Sequence, residues 1–177
     1  MTIFKSARWL CLGMLTSVVL ILPGCDNELL SRLDDLEAKA AVNAKIGTEF
    51  LAANASQSGV VSTASGLQYK VLQPGSGTTA TLSDRVTVHY RGTLIDGSEF
   101  DSSIARGKPA TFPVAGLIEG WQEALQLMRQ GDRWQLYIPA ELAYGKRSPS
   151  TDIPPSSTLL FEMELLQIEQ SPEQEAN

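Results

Sequence analysis

The segment DGSEFDSS, residues 96–103, sets a large aromatic ring beside a carboxylate in a polar stretch of chain. Asp96 and Gly97 are typical of a tight turn, and Phe100 directly precedes Asp101. An aromatic ring binds apolar groups, and a carboxylate next to it adds a charge. The pair suggests a site that holds an apolar group close to a negative charge. A turn carboxylate beside a phenylalanine that folds into the core is the alternative.

Several common kinds of catalytic centre are excluded by what the sequence lacks. His89 is the only histidine, and the alternation of its strand puts it opposite the apolar face, which favours a solvated or hydrogen-bonded residue over a base. The only cysteines, Cys11 and Cys25, both belong to the N-terminal 25 residues. Zinc sites and Ser-His or Cys-His centres are therefore not expected, and no glycine-rich phosphate loop follows a strand. We expect no metal, no cofactor, and a site that binds an apolar group rather than attacking one.

The C-terminal two-thirds of the chain have the pattern of an α+β domain. Four short segments rich in Val, Leu, Tyr and Phe are predicted as strands: residues 67–73, 85–94, 133–139 and 158–169. Between them, residues 120–132 carry helix signals, because Trp121, Leu125 and Met128 share one face and Gly131 can end the helix. One short helix among four or more strands predicts a curved antiparallel sheet closed over that helix.

The first 24 residues are predicted to be a lipoprotein signal peptide. Lys5 and Arg8 make a positive start, and an uncharged run of 14 residues follows. That run is shorter than the roughly 20 apolar residues that span a bilayer. It ends in LPGC, which resembles the lipobox of bacterial lipoproteins, whose cysteine, here Cys25, carries the lipid. An ordinary signal with an incidental cysteine is the alternative.

The net charge of the mature chain indicates which kinds of partner it can bind. Without the signal, 12 Lys and Arg stand against 20 Asp and Glu, a formal charge of −8. Such a charge argues against nucleic acid and against electrostatic binding to anionic lipid. Membrane attachment is therefore expected through acyl chains on Cys25, which places the protein on the periplasmic side of a bacterial membrane. The inner and the outer membrane both stay open.

A helix is predicted over residues 25–54, which are rich in helix formers and free of proline. Apolar residues recur on one of its faces at helical spacing: Leu29, Leu33, Leu36 and Ala40. Two interpretations stay open, a solvated stalk that holds the next domain off the membrane and a helix through which residues 28–54 form a weak homodimer. Residues 55–65, ASQSGVVSTAS, are small and polar and are predicted as a linker.

Four blocks of sequence resemble one family of proteins. The blocks VHYRGTLIDGSEFDSS, GLIEGWQEAL, IPAELAYG and IPPSSTLLFEMELL, in this order and at these spacings, resemble the FKBP-type peptidyl-prolyl cis-trans isomerases. The resemblance covers residues 66–170 and implies an FKBP-like fold. The preceding residues are similar to the helix and linker of the bacterial subgroup that includes the macrophage infectivity potentiators. Residues 171–177 are predicted as a disordered tail.

The resemblance also implies a role for each residue of the site. A substrate proline would enter an aromatic pocket whose floor is Trp121. The residues that match wall positions are Tyr90, Phe100, Phe112, Leu117, Ile118, Tyr144 and Phe161. The backbone N–H of Ile118 and the hydroxyl of Tyr144 would donate to carbonyls of the bound peptide. Asp101 would lie beside the twisted prolyl amide and accept a hydrogen bond from Tyr90.

The implied reaction requires no nucleophile. Rotation about an X-Pro bond is opposed by amide resonance, with a barrier of roughly 18–20 kcal/mol, and a dry pocket disfavours the planar, more polar amide. The expected partners are proline-containing polypeptide clients and macrolide-type inhibitors. Two positions depart from the family pattern and reshape the rim: Ala110 stands where an aromatic is common, and Pro149 where some members have a histidine. A non-catalytic peptide-binding chaperone or docking module on the same fold is the alternative.

Overall fold

The computed structural model describes residues 26–171. The predicted signal peptide, the lipidated Cys25 and residues 172–177 of the predicted tail lie outside the described residues, and these features remain predictions. Within the part that is described, no helix combines the length and the apolar character that crossing a membrane requires.

Two α-helices, two 3-10 helices of three residues each and seven strands form the described chain; the α-helices and strands are numbered below. In chain order they are α1 (Asp26–Asn54), β1 (Val60–Ser62), β2 (Gln68–Gln73), β3 (Arg85–Thr93), β4 (Glu99–Ser102), β5 (Ala110–Pro113), α2 (Glu119–Leu127), β6 (Arg133–Ile138) and β7 (Leu159–Glu169). The strands make one antiparallel sheet in the order β1-β2-β6-β7-β3-β4, and β5 also pairs with β3. The predicted α+β class with an antiparallel sheet is confirmed.

Strand β3 runs through the middle of the sheet and shows the predicted alternation. Val86, Val88 and Tyr90 are buried on its inner face. His89 lies on the other face, where its Nδ1 is 3.0 Å from the Oγ of Ser103. The prediction that His89 is a hydrogen-bonded strand residue is therefore confirmed.

Helix α2 covers the inner face of the sheet, and it ends earlier than predicted. Trp121, Leu125 and Met128 are all buried in the core, as their shared face indicates. The last helical residue is Leu127, and the N–H of Met128, the C-cap residue, donates to the carbonyl of Ala124 at 2.8 Å. Gly131 therefore does not end the helix. Its φ of 94° serves the turn into β6 instead.

The segment predicted as a linker, residues 55–65, contains a strand, and that prediction is wrong for its middle. Val60 and Val61 open β1, which pairs with β2 at the edge of the sheet. β-Branched residues favour extended backbone, and the edge of β2 offers unpaired backbone groups to bond. The small, polar neighbours on both sides concealed this three-residue strand.

Helix α1, predicted over residues 25–54, is present, and its two halves have different surroundings. In the second half, the ring of Phe50 lies 6.0 Å from that of Tyr137, and Asn54 donates to the side-chain oxygen of Gln68 at 2.9 Å. In the first half, the predicted stripe is open to solvent, because Leu29 is 60% exposed and Leu33 is 49% exposed. A stalk and a dimerisation helix are both consistent with this exposed half.

Candidate active site

The predicted site residues line one cavity of about 450 Å³. All nine predicted side chains border it: Tyr90, Phe100, Asp101, Phe112, Leu117, Ile118, Trp121, Tyr144 and Phe161. Four further residues complete the lining: Gly116, Pro149, Ser150 and Ile153. Strands β3, β4, β5 and β7, helix α2 and two loops thus converge on one pocket. The separate sequence blocks meet only because the sheet brings β3 between β4, β5 and β7.

Trp121 is the centre of an aromatic cluster and is only 4% exposed. Its ring stands edge-on to Tyr90 and to Phe161, with centroids 5.1 Å apart in each case, and to Phe112 at 6.1 Å. Edge-to-face packing of this kind fixes ring orientations. The indole N–H is buried and makes no hydrogen bond to any residue of the described range. The floor therefore offers shape and apolar surface rather than a polar contact.

Close approach of α2 to the sheet sets the height of that floor. Ile118 occupies the N-cap position of α2, and Gly120 follows inside the first turn. A β-carbon at Gly120 would lie 2.5 Å from the side chain of Ile138 on β6. Only a glycine lets the helix start so near β6, and the next residue is Trp121. In the sequence pair GW, Gly120 thus allows the close contact with β6, and Trp121 forms the floor of the pocket.

Gly92 on β3 makes room for two rings of the pocket wall. It lies directly opposite Phe161 on β7 and Asp101 on β4. A β-carbon there would stand 2.7 Å from the rings of both Phe100 and Phe161, which pack edge-on at 5.5 Å. Sequence reasoning missed this residue, because its function depends on neighbours far away in the chain.

Asp101 is held by two hydrogen-bond donors. The hydroxyl of Tyr90 donates to its Oδ2 at 2.5 Å, as the resemblance implies, and Arg106 forms an ion pair with its Oδ1. Arg106 also donates to the hydroxyl oxygen of Tyr90 at 2.8 Å and lies over the Tyr90 ring, 5.5 Å from its centroid. Sequence reasoning missed Arg106, although a cation five residues after a predicted site carboxylate was a usable signal.

These contacts keep the carboxylate charged and the phenol protonated. Burial alone raises the pKa of Asp101, but the bonds from Tyr90 and Arg106 outweigh it and leave the pKa below its usual value of 3.8. Burial raises the pKa of Tyr90, and the bond to Asp101 raises it further. Both oxygens of Asp101 are occupied. The group is therefore suited to act as a fixed negative charge and not as a base.

Ser103 fixes the backbone at Tyr90. Its Oγ accepts a hydrogen bond from the Tyr90 N–H at 2.8 Å, and its own N–H donates to the Tyr90 carbonyl at 3.0 Å. The side chain is completely buried. Since Ser103 ends the DGSEFDSS segment, the same stretch of chain supplies Asp101 and anchors the residue that bonds to it.

Two residues that line the pocket, Tyr144 and Ile118, carry donors without a partner among residues 26–171. Tyr144 is 38% exposed, and burial, together with the charge of Asp101, raises the pKa of its hydroxyl. The backbone N–H of Ile118 makes no hydrogen bond within residues 26–171. Both groups remain available to carbonyl oxygens of a ligand. No set of three or more His, Cys, Asp or Glu side chains in this described range is arranged to hold a metal ion.

Comparison with known families assigns both parts of the chain. The family model described as FKBP-type peptidyl-prolyl cis-trans isomerase matches residues 76–166, slightly more than half of the chain. The chain belongs to this family. A second model, the domain amino terminal to FKBP-type peptidyl-prolyl isomerase, matches residues 27–71 and thus covers all but the first residue of α1, the whole of β1 and part of β2.

Two bacterial relatives match most of this FKBP chain. The FKBP-type 22 kDa peptidyl-prolyl cis-trans isomerase of Escherichia coli is 57% identical over 122 residues, which are 69% of this chain and 59% of the relative. The outer membrane protein MIP of Legionella longbeachae is 47% identical over 143 residues, 81% of this chain and 61% of the relative. The chain therefore spans about three-fifths of the length of these curated relatives.

Two solved structures share the fold of this FKBP chain. The crystal structure of FkpA from Escherichia coli superposes with a TM-score of 0.75 at 40% identity, covering 85% of this chain and 76% of that one. A peptidyl-prolyl cis-trans isomerase from Pseudomonas syringae gives 0.69 at 36% identity, covering 74% and 96%. The predicted FKBP-like fold is confirmed.

The two departures from the FKBP pattern lie in different places. Pro149 lines the pocket beside Ser150. Ala110 is half-buried on β5, where it pairs with Val88 and packs against the core, and it does not border the cavity. The expectation that both residues widen or reshape the rim is supported for Pro149, and it stays a prediction for Ala110, because a small side chain that does not reach the cavity would leave the rim wider.

Proposed function

We propose that the protein is a peptidyl-prolyl cis-trans isomerase that speeds rotation about X-Pro bonds in exported polypeptides. The observation that carries the proposal is the convergence of the aromatic floor and walls with a carboxylate whose two oxygens are both held. Family membership supports the same activity and does not favour the alternative of a non-catalytic chaperone or docking module.

The proposed catalysis depends on shape, desolvation and a fixed charge. A substrate proline enters the aromatic pocket, where water is excluded and the planar amide, the more polar form, is disfavoured relative to the twisted one. Tyr144 and the N–H of Ile118 donate to carbonyls of the peptide on either side of the twisted bond. Asp101 faces the amide as an anion, and the proposed reaction includes no proton transfer. Such interactions accelerate the step because they are stronger in the transition state than in the ground state.

The size of the required effect is within reach of these groups. An uncatalysed prolyl bond rotates in about 10–100 s at 25 °C. An acceleration of about 10⁵ corresponds to roughly 7 kcal/mol of preferential binding of the transition state, at about 1.36 kcal/mol per decade. Two or three hydrogen bonds at about 1 kcal/mol each supply part of that sum. Desolvation and the shape of the aromatic pocket supply the rest.

Exchange spectroscopy tests the activity directly. A short peptide with one X-Pro bond gives separate NMR signals for its cis and trans forms, and a catalyst produces exchange cross-peaks between them. We expect cross-peaks with the full chain at catalytic concentrations and much weaker ones with Asp101→Ala. A wild-type chain that binds the peptide without producing exchange would replace the proposal with the peptide-binding chaperone.

The proposal extends to location and partners. Lipid on Cys25 would hold the domain at the periplasmic side of a bacterial membrane, where exported proline-containing chains arrive unfolded, and α1 would act as a stalk or as a weak dimer contact. Macrolide-type inhibitors would occupy the same aromatic pocket. Mass spectrometry of the chain expressed in a bacterium tests the anchor: acyl chains are expected on the wild type and none on Cys25→Ser. A wild-type chain without acyl groups would remove the anchor from the proposal.

A further inference from the structure

The second half of α1 touches the loop that closes one side of the pocket. The side-chain N–H of Asn43 donates to the carbonyl of Pro155 at 2.9 Å, 112 residues away in the chain. One turn further along α1, Gly47 is buried against Thr158, and a β-carbon at Gly47 would overlap the Oγ1 of Thr158. Thr158 is only 4% exposed, so it has little space in which to retreat.

The loop that α1 touches supplies part of the cavity lining. Residues 149–158 contribute Pro149, Ser150 and Ile153 to the wall, and Ile153 is 6% exposed. The N–H of Ser156 donates to the carbonyl of Gly145 at 2.8 Å. Gly145 directly follows Tyr144, which lines the same cavity. Pro155, which accepts the bond from α1, and Ser156, which bonds to Gly145, thus join α1 to two parts of the connection between β6 and β7, residues 139–158.

The backbone at this junction adopts a conformation that its residue type does not favour. Ser156 has a φ of 57°, and within residues 26–171 it is the only residue other than glycine with a positive φ. A serine keeps such a conformation only where surrounding contacts determine it. The contacts in question are the Asn43 bond to Pro155 on one side and the Gly145 bond of Ser156 itself on the other.

We propose that α1 positions the peptide-binding pocket, with Asn43 and Gly47 as positioning residues that set the placement of Ile153 in its wall. The inference rests on the proposed function and deepens it, because it makes the N-terminal helix a determinant of peptide affinity rather than only a spacer. Asp101 and Trp121 are held by β3, β4 and α2 through contacts that do not involve α1. Loss of the α1 contact therefore raises KM for a proline peptide and leaves kcat nearly unchanged.

Two substitutions break the contact without weakening the helix. Asn43→Ala removes the donor to Pro155, and Gly47→Ala pushes against Thr158. Alanine has the highest helix propensity, so both changes favour the helical state of α1 itself. Matched controls are Val42→Ala and Thr48→Ala, whose side chains are exposed on the same turns of the helix.

The experiment measures kcat and KM for a proline tetrapeptide with the full chain and these four variants. We expect KM to rise about three- to tenfold in Asn43→Ala, the range that one neutral hydrogen bond supports. KM should also rise in Gly47→Ala, because the new methyl group displaces Thr158. We expect kcat to stay within about twofold and both controls to match the wild type. Adding Thr158→Ala to Gly47→Ala removes the overlapping hydroxyl and should lower KM again.

A second readout separates failure of this inference from failure of the proposed function. Amide hydrogen exchange reports opening of the Ser156 N–H bond to Gly145, and it should become faster in Asn43→Ala than in Val42→Ala. If the wild type catalyses isomerisation and both α1 variants keep its KM, the positioning inference is wrong and the function stands. If the wild type does not catalyse it, the function fails, and unchanged exchange at Ser156 in both variants would overturn the positioning inference as well.

Discussion

The hydroxyl of Tyr90 on β3 donates to the carboxylate of Asp101 on β4 over 2.5 Å, and Arg106 bonds to both groups. The two strands are neighbours in the sheet, so the bond is a cross-strand contact. An O–H···O⁻ distance of this length is typical of a bond to a charged acceptor. What the site offers at this point is a charge in a fixed position, and variants that move or remove the charge should have the largest effects.

Removal of that charge should lower catalysis strongly. Asp101→Asn keeps the size of the side chain, and we expect kcat/KM to fall about 10- to 100-fold, which corresponds to the roughly 1.5–3 kcal/mol of a hydrogen bond to a charged group. In Tyr90→Phe, kcat/KM should fall less, because the aromatic ring remains in the pocket. The tetrapeptide assay measures both. Asp96→Asn, in the exposed turn of the same segment, serves as the control and should match the wild type, whereas equal activity of Asp101→Asn would be incompatible with this role.

The pH dependence of activity should reveal the contribution of Arg106. Burial raises the pKa of Asp101, but the bonds from Tyr90 and Arg106 leave it lowered from 3.8. Because the pKa of Asp101 is lowered in the folded protein, its side chain keeps its negative charge at every pH above 3.8. The charge, and its contribution to activity, is lost only as the pH falls through the folded-state pKa. We therefore expect kcat/KM of the wild type to be flat from about pH 8 to about pH 5.

Arg106→Ala removes one cause of the lowered pKa, so the acid limb of the profile should move to higher pH. Arg85→Ala, which removes an arginine with a half-exposed side chain on β3, is the control and should leave the profile unchanged. Measurement of kcat/KM across the pH range, with folding checked by circular dichroism at each point, tests whether the acid limb shifts. Superimposable profiles for Arg106→Ala and the wild type would show that Arg106 does not set the ionisation of Asp101.

Gly92→Ala should damage the pocket and the stability together. The new methyl group would stand 2.7 Å from the rings of Phe100 and Phe161, which must then move. Overpacking of this kind costs about 1–3 kcal/mol of the free energy of unfolding, and displaced wall rings should raise the Kd for a proline peptide. Urea unfolding and fluorescence anisotropy of a labelled peptide measure the two effects. Thr93→Ala, one residue further along β3, is the matched control. If Gly92→Ala has wild-type stability, the rings can accommodate the methyl group, and the close packing assigned to Gly92 is wrong.

Asp84 should matter for stability and not for catalysis. It is 1% exposed, and its carboxylate accepts bonds from the N–H and hydroxyl of Thr81 and from the N–H of Ser171. Burial raises the pKa of Asp84, but these bonds together lower it. Asp84→Asn cannot accept all of them, so we expect a loss of about 2–4 kcal/mol in the free energy of unfolding. Urea unfolding at pH 7 tests this, with Asp34→Asn on the exposed part of α1 as the control. Unchanged stability would contradict the role assigned to these bonds.

Local patterns in the sequence account for much of the fold. The alternation of Val86, Val88 and Tyr90 places β3, and the spacing of Trp121 and Leu125 places α2 and its buried face. Such patterns depend on neighbours within a few residues. Strand β1 has only three residues, and its partner on β2 decides its conformation more than its own composition does. The helix end was misplaced because the positive φ of Gly131 belongs to the next turn.

For the site, too, some residues could be predicted from the sequence and others could not. Family resemblance placed all nine lining residues that were predicted, because their sequence blocks are distinctive. Arg106 and Gly92 were missed, since each acts through groups that only the folded sheet brings near: the phenol of Tyr90 for the first and the ring of Phe161 for the second. The contact of Asn43 with Pro155 spans 112 residues and has no local signal at all.

The most direct test of the central claim is the refolding rate of a protein whose folding is limited by a prolyl bond, measured with the full chain and with Asp101→Ala. Both chains are first shown to be folded by circular dichroism. The account predicts that the wild type accelerates the slow phase at substoichiometric concentration and that Asp101→Ala loses most of the acceleration. A folded wild-type chain that leaves the slow phase unchanged would contradict it.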